Sequence, residues 1–385
     1  MRYCSKMSVT RVGIFAESLD GGGVQKVLQT ILRHFDYGRY EVSLLTVRDV
    51  PIPETLAGLP LRTGFIFDSY KGGALRRLKA KVLNKIKLLV YYHCTPEVFY
   101  RLFVRKGFDV AVAFLEGYAT RIVSGAPEPA KRIAWLHTEL GANHWTRVAF
   151  QSDDEENRCY GRFHKVVCVS KEVKRQADEM YGLSSRTCII YNPVDTERII
   201  SLADEAVRDR IRTGEGRTLI VSVGRLEKEK GYDRLVRVAD RLQKEGYSFD
   251  LLILGKGSLR DSLASMAGES GPVRLTGYRS NPYPYIRACD FYVCPSRAEG
   301  FNTAVTEALV LGRPVVSTDC SGARELLGDS EFGIVTGNDE DSLFEGMKRM
   351  LSPDVLSHYG EMAAGRSGAF SLEGSMESIY GLIGG

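Results

Sequence analysis

Short runs of β-branched and aliphatic residues recur along the chain, each followed by a stretch in which apolar positions return every three or four residues. In the first half the runs fall at residues 12–15, 42–47, 110–114, 132–136 and 165–169, and in the second at 219–223, 250–254, 273–276, 291–294, 315–317 and 333–335. Continuous apolar runs mark strands covered on both faces, and the intervening helices supply the cover. The alternation predicts an α/β protein of two doubly wound, Rossmann-like domains. Between them Tyr191-Asn192-Pro193-Val194-Asp195 interrupts the pattern, because Pro193 removes a donor and restricts its neighbour. We therefore expect domains at residues 1–192 and 193–370. Residues 371–383 read as one more helix after a glycine-rich stretch (Gly360, Gly365, Gly368), too isolated to extend the second sheet.

A length of 385 residues exceeds what one core usually supports, which agrees with two domains. Hydrophobic content of 44% and charged content of 26% are those of an ordered globular protein. The eight cysteines (Cys4, Cys94, Cys159, Cys168, Cys188, Cys289, Cys294 and Cys320) form no C-x-x-C pair and read as buried thiols of a cytoplasmic enzyme. No apolar run reaches the length of a membrane span, and the first residues lack a signal peptide's layout. A net charge of +4 is too small to point to nucleic acid. It is unevenly spread, however: residues 71–90 hold Lys71, Arg76, Arg77, Lys79, Lys81, Lys85 and Lys87 and no acid.

Ligands of open α/β sheets bind at the carboxyl ends of strands, so the loops there carry the candidate chemistry. After the first strand come Glu17-Ser18-Leu19-Asp20-Gly21-Gly22-Gly23-Val24-Gln25-Lys26, where consecutive glycines let amides approach an anion at a helix start. Lys26 stands where a dinucleotide fingerprint needs its third glycine, and the second strand ends at Val47-Arg48 without a ribose-binding acid. Both features oppose an oxidoreductase. In the second half, Gly224-Arg225-Leu226-Glu227-Lys228-Glu229-Lys230-Gly231 sets Arg225 and Lys230 around a turn suited to a diphosphate. Gly255-Lys256-Gly257 forms another glycine-lined strand end. The richest segment is Glu299-Gly300-Phe301-Asn302-Thr303-Ala304-Val305-Thr306-Glu307, with a carboxylate in the loop and another about two turns into the next helix. Both can face one pocket, into which the amides of Gly300, Phe301 and Asn302 point.

The E-x7-E spacing of Glu299 and Glu307, the G-R-L-x4-K-G run at residues 224–231, the Gly312-Arg313-Pro314-Val315-Val316 segment and the amino-terminal glycine loop together resemble the fourth family of retaining glycosyltransferases. The resemblance covers nearly the whole chain. It implies a GT-B fold, two Rossmann-like domains across a cleft with residues 371–385 crossing back onto the first domain, and transfer of a sugar from a nucleotide-diphosphate donor, taken to be a uridine sugar. Arg225 and Lys230 would neutralise the diphosphate, Glu307 would take the ribose hydroxyls, and Glu299 with Gly300, Phe301, Asn302 and Thr303 would hold the sugar. His137, in Trp135-Leu136-His137-Thr138, matches the family histidine that touches that sugar from the first domain. Gly22, Gly23, Gly255 and Lys256 complete the donor set, and the base is expected near Tyr278 and Arg279. No metal or other cofactor is expected. Asp339-Glu340-Asp341 spells a D-x-D triplet, but acids at a helix start are favourable without an ion.

Leu75, Leu78, Val82, Ile86 and Leu89 recur at helical steps among Arg76, Arg77, Lys79, Lys81, Lys85 and Lys87. The pattern fits an amphipathic basic helix on an anionic membrane or a lipid diphosphate, in an enzyme that is peripheral to the inner membrane face and acts on a glycan or lipid-linked acceptor for cell-surface polysaccharide. The alternative is an apolar stripe turned into the core with a solvated basic back. At the level of the whole chain the alternatives are another GT-B enzyme (a phosphorylase or sugar-nucleotide epimerase), a nucleotide-binding oxidoreductase, or a non-catalytic binding protein.

Overall fold

The computed structural model describes residues 9–19, 22–69, 72–141, 144–207, 211–268 and 271–384; Cys4, Asp20, Gly21 and Lys71 lie outside the described residues. The chain forms two compact units, Met1–Tyr191 with Met376–Gly385, and Asn192–Ser375.

The first unit holds β1 (Thr10–Ala16), β2 (Tyr40–Arg48), β3 (Arg62–Phe67), β4 (Val110–Ala113), β5 (Lys131–Leu136), β6 (Lys165–Cys168) and β7 (Thr187–Ile189), in the order β3-β2-β1-β4-β5-β6-β7. All pairings are parallel. Val12, Val42, Ala111 and Ile133 are fully enclosed, as continuous apolar strands require. The strand order reverses between β1 and β4, and a crevice at their carboxyl ends follows from that reversal. Sequence pattern misses the two outer strands. β3 is largely exposed and contains Gly64, and β7 has only three residues, so neither carries an apolar run.

The second unit holds β8 (Thr218–Val223), β9 (Phe249–Leu254), β10 (Val273–Gly277), β11 (Phe291–Cys294), β12 (Val315–Thr318) and β13 (Ile334–Thr336), ordered β10-β9-β8-β11-β12-β13 and again parallel. Its reversal lies between β8 and β11. Each unit is a doubly wound Rossmann-like domain, and the pair makes up the GT-B fold.

Within the glycine-rich stretch Gly360 and Gly365 lie inside the helix Pro353–Arg366. Each costs about 1 kcal/mol against alanine. Tyr359 offsets this by burying its ring and donating its hydroxyl to the Ser330 carbonyl at 3.0 Å. The last helix, Leu372–Gly384, packs on the first unit, where the Tyr380 ring stacks on Tyr40 and its hydroxyl donates to the His34 carbonyl at 2.9 Å.

Candidate functional site

The candidate donor residues of the second unit stand in the segments that follow β8, β9, β10 and β11. β8 ends at Val223, and the chain turns through Gly224 and Arg225 into the short 3-10 turn Lys228–Lys230. Gly231 follows at φ +68°, where a Cβ would also strike the Pro295 carbonyl. Glycine there brings the turn against the end of β11. Lys230 consequently reaches Glu299, its Nζ lying 2.6 Å from Oε1. The same carboxylate oxygen accepts from the Ser296 hydroxyl at 2.6 Å and from Asn302 Nδ2 at 3.3 Å. Burial acts to lower the Lys230 ammonium, and the Glu299 charge overrides it and holds the group above its ordinary value. Arg225 is more exposed and pairs with Glu229 at 2.7 Å.

The helix Thr303–Val310 begins with Asn302 as its cap, whose side chain accepts from the amides of Ala304 and Val305. Glu307 is the fifth residue of that helix, so it sits just over one turn in rather than two. It is buried and accepts from the Tyr283 hydroxyl at 3.2 Å. Gly255 lets the end of β9 approach β8 closely, since a Cβ would strike the Gly224 carbonyl. Lys256 lies 4.9 Å above the Tyr278 ring, and Tyr278 is exposed. Arg279 donates to the Tyr285 hydroxyl at 3.1 Å. Gly300 and Phe301 are buried at the head of the helix. Cations, carboxylates and an exposed ring thus stand in the segments that follow β8, β9, β10 and β11, groups suited to a polar ligand with a planar base. Tyr283 and Ser296 were not legible as members, because neither stands in a glycine loop or a charged motif.

In the first unit Gly22 caps the helix Gly23–Arg33 without a side-chain acceptor. His137 directly follows β5 and is buried, its ring 4.9 Å from that of Phe114 and stacked at 6.4 Å on Trp135. Burial lowers the imidazole to about 3, against a weaker opposing pull from the Phe114 carbonyl, so it is neutral. Its backbone N–H donates to Glu116 Oε2 at 3.0 Å. Glu116 and Glu17 both stand in strand-end loops; Glu17 heads the glycine loop after β1 but carried no expected role, and Glu116 was not singled out.

Residues 21–198 match the family described as Glycosyltransferase Family 4, and residues 217–353 match Glycosyl transferases group 1. The chain belongs to glycosyltransferase family 4. It is 39% identical over 199 residues to the N-acetylgalactosamine-N,N'-diacetylbacillosaminyl-diphospho-undecaprenol 4-alpha-N-acetylgalactosaminyltransferase of Campylobacter jejuni, covering 49% of this chain and 52% of that protein. To the alpha-D-kanosaminyltransferase of Streptomyces kanamyceticus it is 23% identical, over 86% of each. The chain spans only about half the length of several curated relatives that it matches, the Campylobacter protein among them. Among solved structures, Anabaena HepE in complex with UDP and glucose superposes with a TM-score of 0.74 at 18% identity, covering 97% of this chain and 99% of that one. Staphylococcus aureus TarM superposes at 0.71 with 14% identity, over 98% and 100%.

This family 4 chain also carries the basic helix, Ala74–His93. Its buried face is Ala80, Asn84, Lys87 and Tyr91. The apolar stripe points outward: Leu75 is 67% exposed, Leu78 58%, Val82 51%, Ile86 49% and Leu89 62%. That overturns the core-facing alternative. Arg76, Arg77, Lys79, Lys81 and Lys85 are exposed beside the stripe. Lys87 is a correction to the expected lipid-contact set. It is buried, donating to the Ile66 carbonyl and pairing with Asp68 at 3.1 Å, so it fastens the helix to β3 and is turned away from any outer surface. Among the described residues no helix is long and apolar enough to cross a membrane.

Proposed function

We propose that the chain is a retaining, metal-independent hexosyltransferase that moves a sugar from a uridine diphosphate sugar to a lipid-linked glycan at an anionic membrane surface, in the synthesis of cell-surface polysaccharide or glycoconjugate. The observation that carries this reading is the Lys230–Glu299 ion pair where the loops after β8 and β11 meet, with Glu307 buried in the helix that follows β11. Arg225 and Lys230 supply positive charge where the diphosphate leaves, and charge develops there as the glycosidic bond breaks. Glu307 offers a buried acceptor to two ribose hydroxyls, while Tyr278 with Lys256 offers a face for the base. Glu299, the amides of residues 300–302 and Thr303 hold the sugar, and His137 in the first unit offers a neutral hydrogen-bonding group. The glycines at positions 22 and 23 give the first unit an anion-tolerant edge.

The lipid-linked acceptor is supported by the Campylobacter relative, whose name specifies a diphospho-undecaprenol substrate. The uridine donor is supported by the UDP bound in HepE. For metal independence the support is local: Asp339 is spent as a helix cap for Ser342, and Asp341 pairs with Arg241 at 2.8 Å. The test is thermal shift of the full chain with UDP, GDP, ADP and CDP, followed by transfer from the matching sugar nucleotide and proton NMR of the product anomer. Selective stabilisation by UDP and a product that keeps the donor's anomeric configuration are expected. Stabilisation by another base, or an inverted product, overturns the corresponding part.

A further inference from the structure

The reversal point of the first sheet carries two carboxyls that the donor chemistry above does not use. Glu17 directly follows β1, and Glu116 stands in the loop after β4, the two strands between which the order reverses. His137 follows the neighbouring β5. Glu116 is fully buried, with Oε2 fixed by the His137 amide and Oε1 without a hydrogen-bond partner among the described residues. Glu17 is only partly buried, and its Oε1 is likewise without a partner. The loop between the carboxyls is tight, since a Cβ on Gly117 would lie 3.4 Å from Glu17 Oε1.

A buried carboxylate oxygen without a donor costs roughly 1–3 kcal/mol, which a ligand's hydroxyl can recover. A metal ion is the other group that two carboxyls and a histidine suggest, but no group of three such side chains among the described residues is spaced to hold one. Hydroxyl groups fit better, because a carboxylate accepts from them and a protonated carboxyl also donates to them.

We propose that Glu17 and Glu116 form a subsite for a hydroxyl of the acceptor sugar, Glu17 making the contact and Glu116 positioning the His137 loop behind it. The assignment to the acceptor rests on the glycosyl-transfer reading. Burial raises Glu116 to about 7, the Glu116 and His137 amides oppose this, and Glu17 adds to it. Burial also raises Glu17, against the Tyr118 amide and Arg48. The other titratable groups around Glu116 are His137, Tyr160, Tyr181 and Cys168, of which the tyrosines and the cysteine are held neutral by burial. The proton on Glu116 is therefore largely present at pH 6 and largely lost at pH 8.

The test needs no turnover. Binding of the methyl glycosides of glucose, galactose and N-acetylgalactosamine to the full chain is followed by saturation-transfer NMR at pH 6 and pH 8, with UDP affinity measured in parallel by calorimetry. Glu17→Gln and Glu17→Ala are expected to weaken glycoside binding about tenfold while leaving UDP affinity unchanged. Glu116→Gln, which fixes the protonated shape, is expected to keep binding at pH 6 and to remove the loss seen in the wild type at pH 8. Wild-type binding by Glu17 variants, no binding of any glycoside by the wild type, or a pH dependence that survives in Glu116→Gln overturns the subsite. Absence of UDP binding alongside the expected variant pattern removes the donor reading and leaves the hydroxyl site standing.

Discussion

Lys230 Nζ lies 2.6 Å from Glu299 Oε1, so the cation assigned to the leaving diphosphate and the acid assigned to the donor sugar hold each other in place. Lys230→Ala should lower kcat by about 100-fold or more, because the lost charge acts mainly as the bond breaks. It should also lower Tm, since Glu299 is left buried without its cation. Adding Glu299→Gln to Lys230→Ala should recover much of the Tm and none of the kcat. A change confined to KM would remove the leaving-group assignment.

Glu307 accepts from Tyr283, a contact that keeps the carboxylate oriented within a helix that holds no other charge. Glu307→Ala is expected to weaken UDP binding about tenfold or more by calorimetry, while Tyr283→Phe, which leaves the acceptor in place, costs less. Equal affinities for wild type and Glu307→Ala would end the ribose assignment.

The interior strands were legible because a strand covered on two faces must be apolar throughout, as in β9 and β11, whereas the order of the strands was not. β3 and β7 escaped because an outer strand has one polar side and little length. At the site, Lys230, Glu299 and Glu307 could be picked out as charges in glycine-lined loops. Their partners could not, since Tyr283 and Ser296 become relevant only through folding. Glu116 carried an unused signal: Phe114-Leu115-Glu116-Gly117 ends a buried strand, and a charged residue at that place meets the same criterion as Arg225. The direction in which the basic helix turns its stripe was undecidable from periodicity, which gives a face but not its neighbour. Asn84 and Lys87, bonded to Asp68 and Ile66, decide it.

Glu116 also makes a stability prediction. Its folded value of about 7 lies above the ordinary glutamate value, so the folded state binds the extra proton and stability falls as pH rises from about 4.5 to about 7. Glu116→Gln should leave Tm near that of the wild type at pH 4.5. At pH 8 it should raise Tm, by an amount equivalent to at most about 3 kcal/mol. An equal Tm difference at both pH values would show that the carboxyl carries no proton linkage.

Transfer should persist in excess EDTA, with the charge of Arg225 and Lys230 standing where an ion would act. Asp339→Ala should lower Tm by the loss of a cap, about 1 kcal/mol, without altering turnover. Loss of transfer in EDTA that Mg²⁺ or Mn²⁺ restores would reassign Asp339 and Asp341.

The exposed stripe of the basic helix separates two contributions to membrane attachment. Arg76, Arg77, Lys81 and Lys85 should each add roughly 1 kcal/mol of attraction to anionic lipid, screened by salt, whereas Leu78, Val82 and Ile86 should add an apolar term that salt leaves intact. Replacing the four basic residues by glutamine is expected to abolish sedimentation with anionic liposomes and slow transfer to a lipid-linked acceptor, while transfer to a short soluble acceptor survives. Replacing Leu78, Val82 and Ile86 by serine should leave the fold intact, because these side chains are already in water, and should weaken binding at every salt concentration. Lys87→Gln is the control that distinguishes this surface from the anchor beneath it: it should lower Tm by loosening the helix from Asp68. Unchanged sedimentation in both surface variants would remove the membrane reading, and equal loss of lipid-linked and soluble transfer would make the helix a support for the fold.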